Sequence, residues 1–91
     1  MSRTFKMIES AEEIVAGKPE TAYTYQDVDS DAVVVLAMHP TNAFEFFCLA
    51  REGGATMSEF LRLADAFVKQ GLKQHDYEGG FDEAIRTLVI E

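Results

Sequence analysis

Residues 41–72 read TNAFEFFCLAREGGATMSEFLRLADAFVKQGL, and this stretch decides which fold the sequence predicts. In its first part, Phe44, Phe47 and Cys48 stand at positions i, i+3 and i+4, so they would share one face of a helix. The second part repeats that spacing with the residues Phe60, Leu63, Ala64, Phe67 and Val68. The stretch therefore predicts two amphipathic helices.

The turn between these helices carries its own stop and start signals. Gly53 and Gly54 can adopt the positive φ that ends a helix. Thr56 and Glu59 then match the T-x-x-E capping box, in which the two residues satisfy free amides at a helix start. We expect a sharp elbow at the glycines and a new helix after Thr56.

The N-terminal half predicts short strands and one short helix. Residues 4–8 favour a strand, and the S-x-x-E pattern of Ser10 and Glu13 favours a helix over residues 10–16 that ends at Gly17. Residues 21–26 and the apolar run 32–38 both favour strands, paired as a hairpin across the acidic turn 27–31. A buried helix over residues 30–38 is the alternative, because periodicity does not separate the two over so short a run.

The C-terminal segment predicts a final helix with Asp82 and Glu83 in its first turn, where carboxylates complement the helix dipole. Residues 87–90 fit a strand equally well. The predicted fold class is α+β, in a single domain of residues 1–91. A small N-terminal two- or three-stranded antiparallel sheet packs on a C-terminal set of helices. The alternative is an all-α bundle.

Charge and composition exclude several functional classes. The chain has 91 residues, with 16 acidic and eight basic side chains and a net charge of −8. Direct nucleic-acid binding is not expected, because duplex-binding proteins present a basic stripe. The single cysteine cannot form an internal disulfide, and the longest uncharged run is too short and polar to span a bilayer. We expect a cytoplasmic protein without a membrane contact.

No grouping of residues predicts catalysis, a cofactor or a metal. Asp27, Asp29 and Asp31 match the first three ligand positions of a helix–loop–helix calcium site. The glycine at loop position 6 and the glutamate at position 12 are replaced by Ala32 and Met38, so we interpret the stretch as a hairpin turn. Cys48 shares its predicted face with Phe44 and Phe47, where a thiol is usually inert, so it does not predict a nucleophilic pair with a histidine. Cys48 and the two histidines are also too widely spaced to predict a zinc site. We therefore expect a protein that is not an enzyme.

Acidic residues cluster at 9–13, 27–31 and 76–83, while Phe, Leu and Val are abundant. This combination predicts a small acidic interaction protein that binds a protein partner, or forms a homo-oligomer, through an apolar helical face. The alternative is an acidic inhibitor that mimics nucleic acid and blocks a basic groove of its target. The residues predicted to contact a basic partner are Asp27, Asp29, Asp31, Asp76, Glu78, Asp82 and Glu83.

Overall fold

The computed structural model describes residues 2–39, 42–71 and 81–91. Within these ranges the chain forms strands β1 (Arg3–Val15), β2 (Lys18–Asp27), β3 (Val33–His39), β4 (Asn42–Glu52) and β5 (Thr87–Ile90). Helix α1 (Met57–Gly71) follows β4, and the one-turn helix α2 (Phe81–Ala84) precedes β5. The strands form one antiparallel sheet in the order β4-β3-β2-β1-β5.

The predicted fold class is wrong in both of its forms. The described residues form a mostly β structure in which a five-stranded sheet is covered by one 15-residue helix. It is neither a small N-terminal sheet on a set of helices nor an all-α bundle. The paired-helix scaffold fails at its first member, because residues 42–52 form β4 and pair with β3.

Residues 42–52 form a strand for a physical reason that their helix-like apolar spacing did not show. Phe46 and Cys48 lie partly buried against the core, whereas Phe47 lies on the other face of the sheet. A segment with apolar residues on both faces shows no strand alternation, so its apolar positions also fit a helix. Aromatic residues favour strands, and β3 provides a complete antiparallel partner for this one.

The predicted helix over residues 10–16 is also wrong. These residues continue β1, which runs antiparallel to β2 as far as the pair Val15 and Lys18. The two residues between them, Ala16 and Gly17, have φ values of 52° and 78°. Positive φ at both positions is the mark of a type I′ hairpin turn. Cross-strand pairing therefore outweighs the local capping pattern of Ser10 and Glu13.

Several local predictions are confirmed. Residues 4–8 and 21–26 lie in β1 and β2, and residues 33–38 of the apolar run lie in β3, which pairs with β2 as a hairpin. The amide of Thr56 donates to Oε1 of Glu59 at 3.1 Å, and the amide of Glu59 donates to Oγ1 of Thr56 at 3.1 Å. The strand alternative for residues 87–90 is confirmed, so the predicted helix there stops at Ala84.

The turn glycines have the predicted positive φ, although they follow a strand rather than a helix. Gly53 has a second requirement, because a Cβ atom on it would lie 1.8 Å from the carbonyl oxygen of Asp31. The turn after β4 therefore touches the turn between β2 and β3, and only glycine fits at that point.

Helix α1 covers one face of the sheet and forms the hydrophobic core with it. Phe67 of the helix contacts the rings of Tyr23 and Phe46 at centroid distances of 5.1 and 5.4 Å. The hydroxyl of the buried Tyr25 donates to the carbonyl oxygen of Ile85 at 2.6 Å, and burial raises the pKa of this tyrosine. The largest fully buried side chains of the described residues are Phe5, Tyr25, Val34, Leu36, Leu63, Phe67, Ile85 and Leu88.

Gln70 of α1 occupies the outer edge of β5. Its Nε2 donates to the carbonyl oxygen of Thr87 at 2.7 Å, and its Oε1 accepts from the amide of Val89 at 3.2 Å. A side-chain amide thus takes the place of a neighbouring strand. Free backbone groups at a sheet edge promote pairing with other chains, so this contact closes the short edge strand.

Arg3 joins the first strand to the start of the helix. Its Nη2 and Nε donate to Oδ2 of Asp27 at 2.5 and 3.0 Å, and its Nη1 donates to Glu59. The carboxylates of Asp27 and Glu59 are largely buried, whereas Arg3 is partly exposed. The contact holds the sheet against the capping box of α1.

We expect the stability of the fold to depend on Asp27 in acid. A hydrogen bond from the amide of Asp29, followed by the bond from Arg3, lowers the pKa of Asp27 below its ordinary value. Its stabilisation is therefore complete above the unfolded pKa of about 3.9 and is lost as pH falls through the folded pKa. Asp27→Asn should cost about 1–3 kcal/mol near neutrality and flatten the acid limb of denaturant unfolding.

The control for this experiment is Asp31→Asn, which removes one charge from the same turn at an exposed position. It should retain the steep acid limb, because Asp27 is intact. Equal pH dependence of Asp27→Asn and the wild-type chain would contradict the assignment.

A second expected effect concerns the type I′ turn. Alanine at φ 52° is strained, whereas Asn-Gly is the preferred pair at such a turn. Ala16→Asn should raise the free energy of unfolding by about 1 kcal/mol. Ala11→Asn, placed inside β1 where asparagine is unfavourable, should lower it. Thermal or urea unfolding measures both, and a destabilised Ala16→Asn variant would refute the turn assignment.

Candidate protein-interaction surface

The outer part of the first hairpin projects beyond the rest of the sheet. β5 pairs with β1 only over Arg3–Lys6, and β3 pairs with β2 only over Ala22–Gln26. Residues 12–21, here called the hairpin arm, therefore have ladder partners only within the arm among the described strands. A two-stranded ribbon is marginally stable by itself in water. The arm is thus the part of the sheet with the least support.

Strand register assigns each side chain of the arm to a face. Residues that oppose each other in an antiparallel ladder point to the same side of the sheet. Tyr23 contacts α1, so Thr21 and Pro19 lie on the helix side, together with their partners Glu12 and Ile14. Glu20 and its partner Glu13 lie on the opposite side, here called the helix-free face.

The arm exposes an unusually large apolar side chain. Ile14 is 72% exposed, the highest value among the large exposed hydrophobic residues of the described chain, and its partner Pro19 is exposed as well. Ile8 is 58% exposed at the irregularity in the β1–β2 register between Met7 and Glu9. Ile14 and Pro19 belong to the arm, beyond the pairing of β2 with β3 and of β1 with β5.

Carboxylates surround this apolar tip. Residues 9–21 contain four acidic side chains and one basic side chain, Lys18. Glu9, Glu12 and Glu13 are exposed, and the described residues offer none of them a salt bridge. Other acidic residues have such partners, as Asp65 pairs with Lys69 and Glu83 pairs with Arg86. The arm combines exposed apolar surface with uncompensated negative charge.

The predicted partner-binding residue Asp27 does not reach the surface. It is 5% exposed and accepts hydrogen bonds from Arg3, Ser30 and the amide of Asp29. The acidic hairpin turn predicted at residues 27–31 exists, but its first carboxylate is a structural group. Sequence alone did not show this, because Arg3 lies 24 residues away in the chain.

The remaining predicted contacts are dispersed. Asp29 and Asp31 are exposed in the turn between β2 and β3, and Glu83 is exposed beside Arg86. Asp76 and Glu78 lie outside the described residues, and the side chain of Asp82 is not described. Glu13, at the end of the first acidic cluster, pairs with Glu20, which stands seven positions before Asp27 along β2, roughly 23 Å away.

The metal-ligand types, the groove beside α1 and the cysteine of the described residues give weaker candidates for a functional site. No group of three or more His, Cys, Asp or Glu residues in the described ranges is arranged to hold a metal ion. A groove of about 440 Å³ lies between α1 and β5, and its lining includes Lys69, which pairs with Asp65, and Gln70, which bonds to β5. Cys48 is partly buried against the core, opposite Leu36 in the ladder.

The sequence contained one signal for the arm that helical reasoning missed. Pairing residues 10–15 with residues 18–23 around Ala16 and Gly17 gives the observed register without a gap. The capping-box pattern of Ser10 and Glu13 masked it. This pattern does not predict the exposure of Ile14, because that exposure depends on how far the hairpin of β1 and β2 extends past β3 and β5.

Among the described helices, none is long and apolar enough to cross a membrane. Comparison with known proteins assigns no relative, because no protein-family model, curated protein or solved structure matches this chain.

Proposed function

We propose that this chain is a non-enzymatic interaction domain that binds a protein partner through its hairpin arm. The single observation that carries the proposal is the exposure of Ile14 on a projecting ribbon ringed by carboxylates. The complementary partner surface is an apolar pocket rimmed by Lys or Arg. Burial of the isoleucine provides affinity, and charge complementarity provides rate and specificity.

The arm also gains stability from a partner. The ladder of the arm is two strands wide among the described strands. A partner that packs on the arm adds the contacts that neighbouring strands provide elsewhere in the sheet. Binding residues often lie on segments that a rigid scaffold holds at its surface, so a projecting ribbon is a common recognition element.

The apolar face of helix α1 is not free for this purpose. Phe60, Leu63 and Phe67 are buried against the sheet, so the surface offered to a partner lies elsewhere. Self-assembly through the arm is the less favourable form of the proposal, because two arms of the same negative charge would meet. Sedimentation at low and high salt distinguishes the two forms, since repulsion between copies weakens as salt rises.

A second candidate function follows from the same charges. The partner's basic surface is then a groove that normally holds nucleic acid, and the arm acts as an acidic inhibitor. Support comes from the exposed Glu12 and Glu13 on a two-stranded ribbon narrow enough to enter a groove, with Glu9 exposed further along β1. Displacement of a labelled oligonucleotide from the captured partner tests this form, and simultaneous binding of both excludes it.

The central test is capture from the native host with matched variants. Ile14→Ser removes the exposed side chain of the arm, whereas Leu61→Ser removes one of 60% exposure from helix α1. Mass spectrometry should identify a protein retained by the wild-type chain and by Leu61→Ser but lost with Ile14→Ser. Loss of about 2 kcal/mol of apolar burial predicts at least a tenfold weaker affinity.

The same capture experiment, repeated at several salt concentrations, tests the charge of the partner surface. Retention should fall as the salt concentration rises, because exposed charge pairs are screened. A partner held equally by both serine variants would contradict binding through the arm. A partner whose affinity does not change with salt concentration would contradict the proposal that its binding surface is basic.

A further inference from the structure

Glu20 is a buried carboxylate within the hairpin arm. The residue is only 5% exposed, although its neighbours Pro19 and Thr21 are exposed. Its Oε2 is sealed from solvent and has no hydrogen-bond partner in the part of the chain that the structure describes. A carboxylate oxygen buried without a donor is unfavourable, and it identifies a position that a ligand can complete.

Glu13 stands directly across the ladder from Glu20. Opposed residues in an antiparallel pair have Cβ atoms about 5 Å apart, so the two carboxylates share the helix-free face as neighbours. Like charges in this arrangement destabilise the sheet. Lys18 lies on the same face two residues along β2, yet it forms no salt bridge to either carboxylate.

We propose that Glu13 and Glu20 together receive one Lys or Arg side chain of the protein partner. This inference rests on the proposed function and names the point at which the cation binds. Glu13 is exposed and makes the first contact. Glu20 turns outward to complete the pair, which relieves both its missing hydrogen bond and the repulsion from Glu13. A guanidinium suits two adjacent carboxylates, because its N–H groups diverge in one plane.

The ladder register distinguishes this pair from the other carboxylates of the arm. A partner that covers Glu13 and Glu20 excludes water from them, and electrostatic attraction is stronger where water is excluded. Glu12 provides the internal comparison. It is adjacent to Glu13 in sequence and is also a glutamate, but it points to the helix side, opposite Thr21.

The test uses the full chain and an oligoarginine peptide as the probe, with affinity measured by titration at low salt. Glu13→Gln and Glu20→Gln should each weaken binding about tenfold, the value of a lost charged hydrogen bond. Glu12→Gln carries the same change of charge and should weaken binding less than about twofold. Lysine peptides of equal length report whether the site prefers guanidinium to ammonium.

Thermal unfolding of the free variants supplies an independent measurement. Glu13→Gln and Glu20→Gln should both raise the midpoint, because each removes the like-charge pair. Glu12→Gln should not. Higher stability together with weaker binding is the signature of a receiving site, since a merely structural glutamate would lose stability when replaced.

The opposite results overturn the inference. If Glu12→Gln weakens peptide binding as much as Glu13→Gln, the attraction is general and the pair is not a site. If the midpoints of Glu13→Gln and Glu20→Gln fall, the two carboxylates are held by internal contacts. Either outcome leaves the role of Ile14 untouched, because partner capture with Ile14→Ser and Leu61→Ser decides that separately.

Discussion

The contact between helix α1 and one face of the sheet is the constraint on which the rest of the structure depends. Among the described residues, α1 is the one long helix packed on the five-stranded sheet, and it contacts β3, β4 and β5. Arg3 fastens the helix start through Asp27 and Glu59, and Gln70 fastens its other end to β5. Every residue beyond the reach of this helix has to be stabilised by other means.

The hairpin arm is the direct result of that limit. β1 and β2 continue past the strands beside them, and among the described strands their outer residues pair only with each other. Apolar and acidic side chains that would be hidden or paired elsewhere, such as Ile14 and Glu13, are presented on it. The arm therefore has fewer strand partners than the middle of the sheet, and it is the part of the described chain that we propose contacts a protein partner.

Charge in this protein divides into a structural part and a free part. Asp27 and Glu59 are occupied by Arg3, and their role is to hold sheet and helix together. In the part of the chain that the structure describes, Glu12 and Glu13 are exposed without a salt bridge, and Glu20 is buried with one oxygen unbonded. Net charge by itself does not separate these roles, because the difference lies in which residues folding brings together. An acidic composition therefore says less about partners than the position of each carboxylate does.

Sequence reasoning succeeded where the signal was local. The T-x-x-E box of Thr56 and Glu59, the positive φ of Gly53 and the hairpin of β2 and β3 involve residues close together in the chain. It failed where two local patterns competed. Residues 42–52 are apolar on both faces and residues 10–16 carry a helix-capping pattern, so each fitted a helix as well as a strand.

The sequence by itself determined the caps, the turns and the excess of acid, because short-range hydrogen bonds and side-chain chemistry depend on a few adjacent residues. Only the tertiary structure decided that β4 is a strand, that Asp27 is buried beneath Arg3 and that Glu13 faces Glu20. Those outcomes depend on strand pairing and on contacts between residues distant in the chain. The free energy of such contacts outweighs local propensity, and no window of adjacent residues contains it.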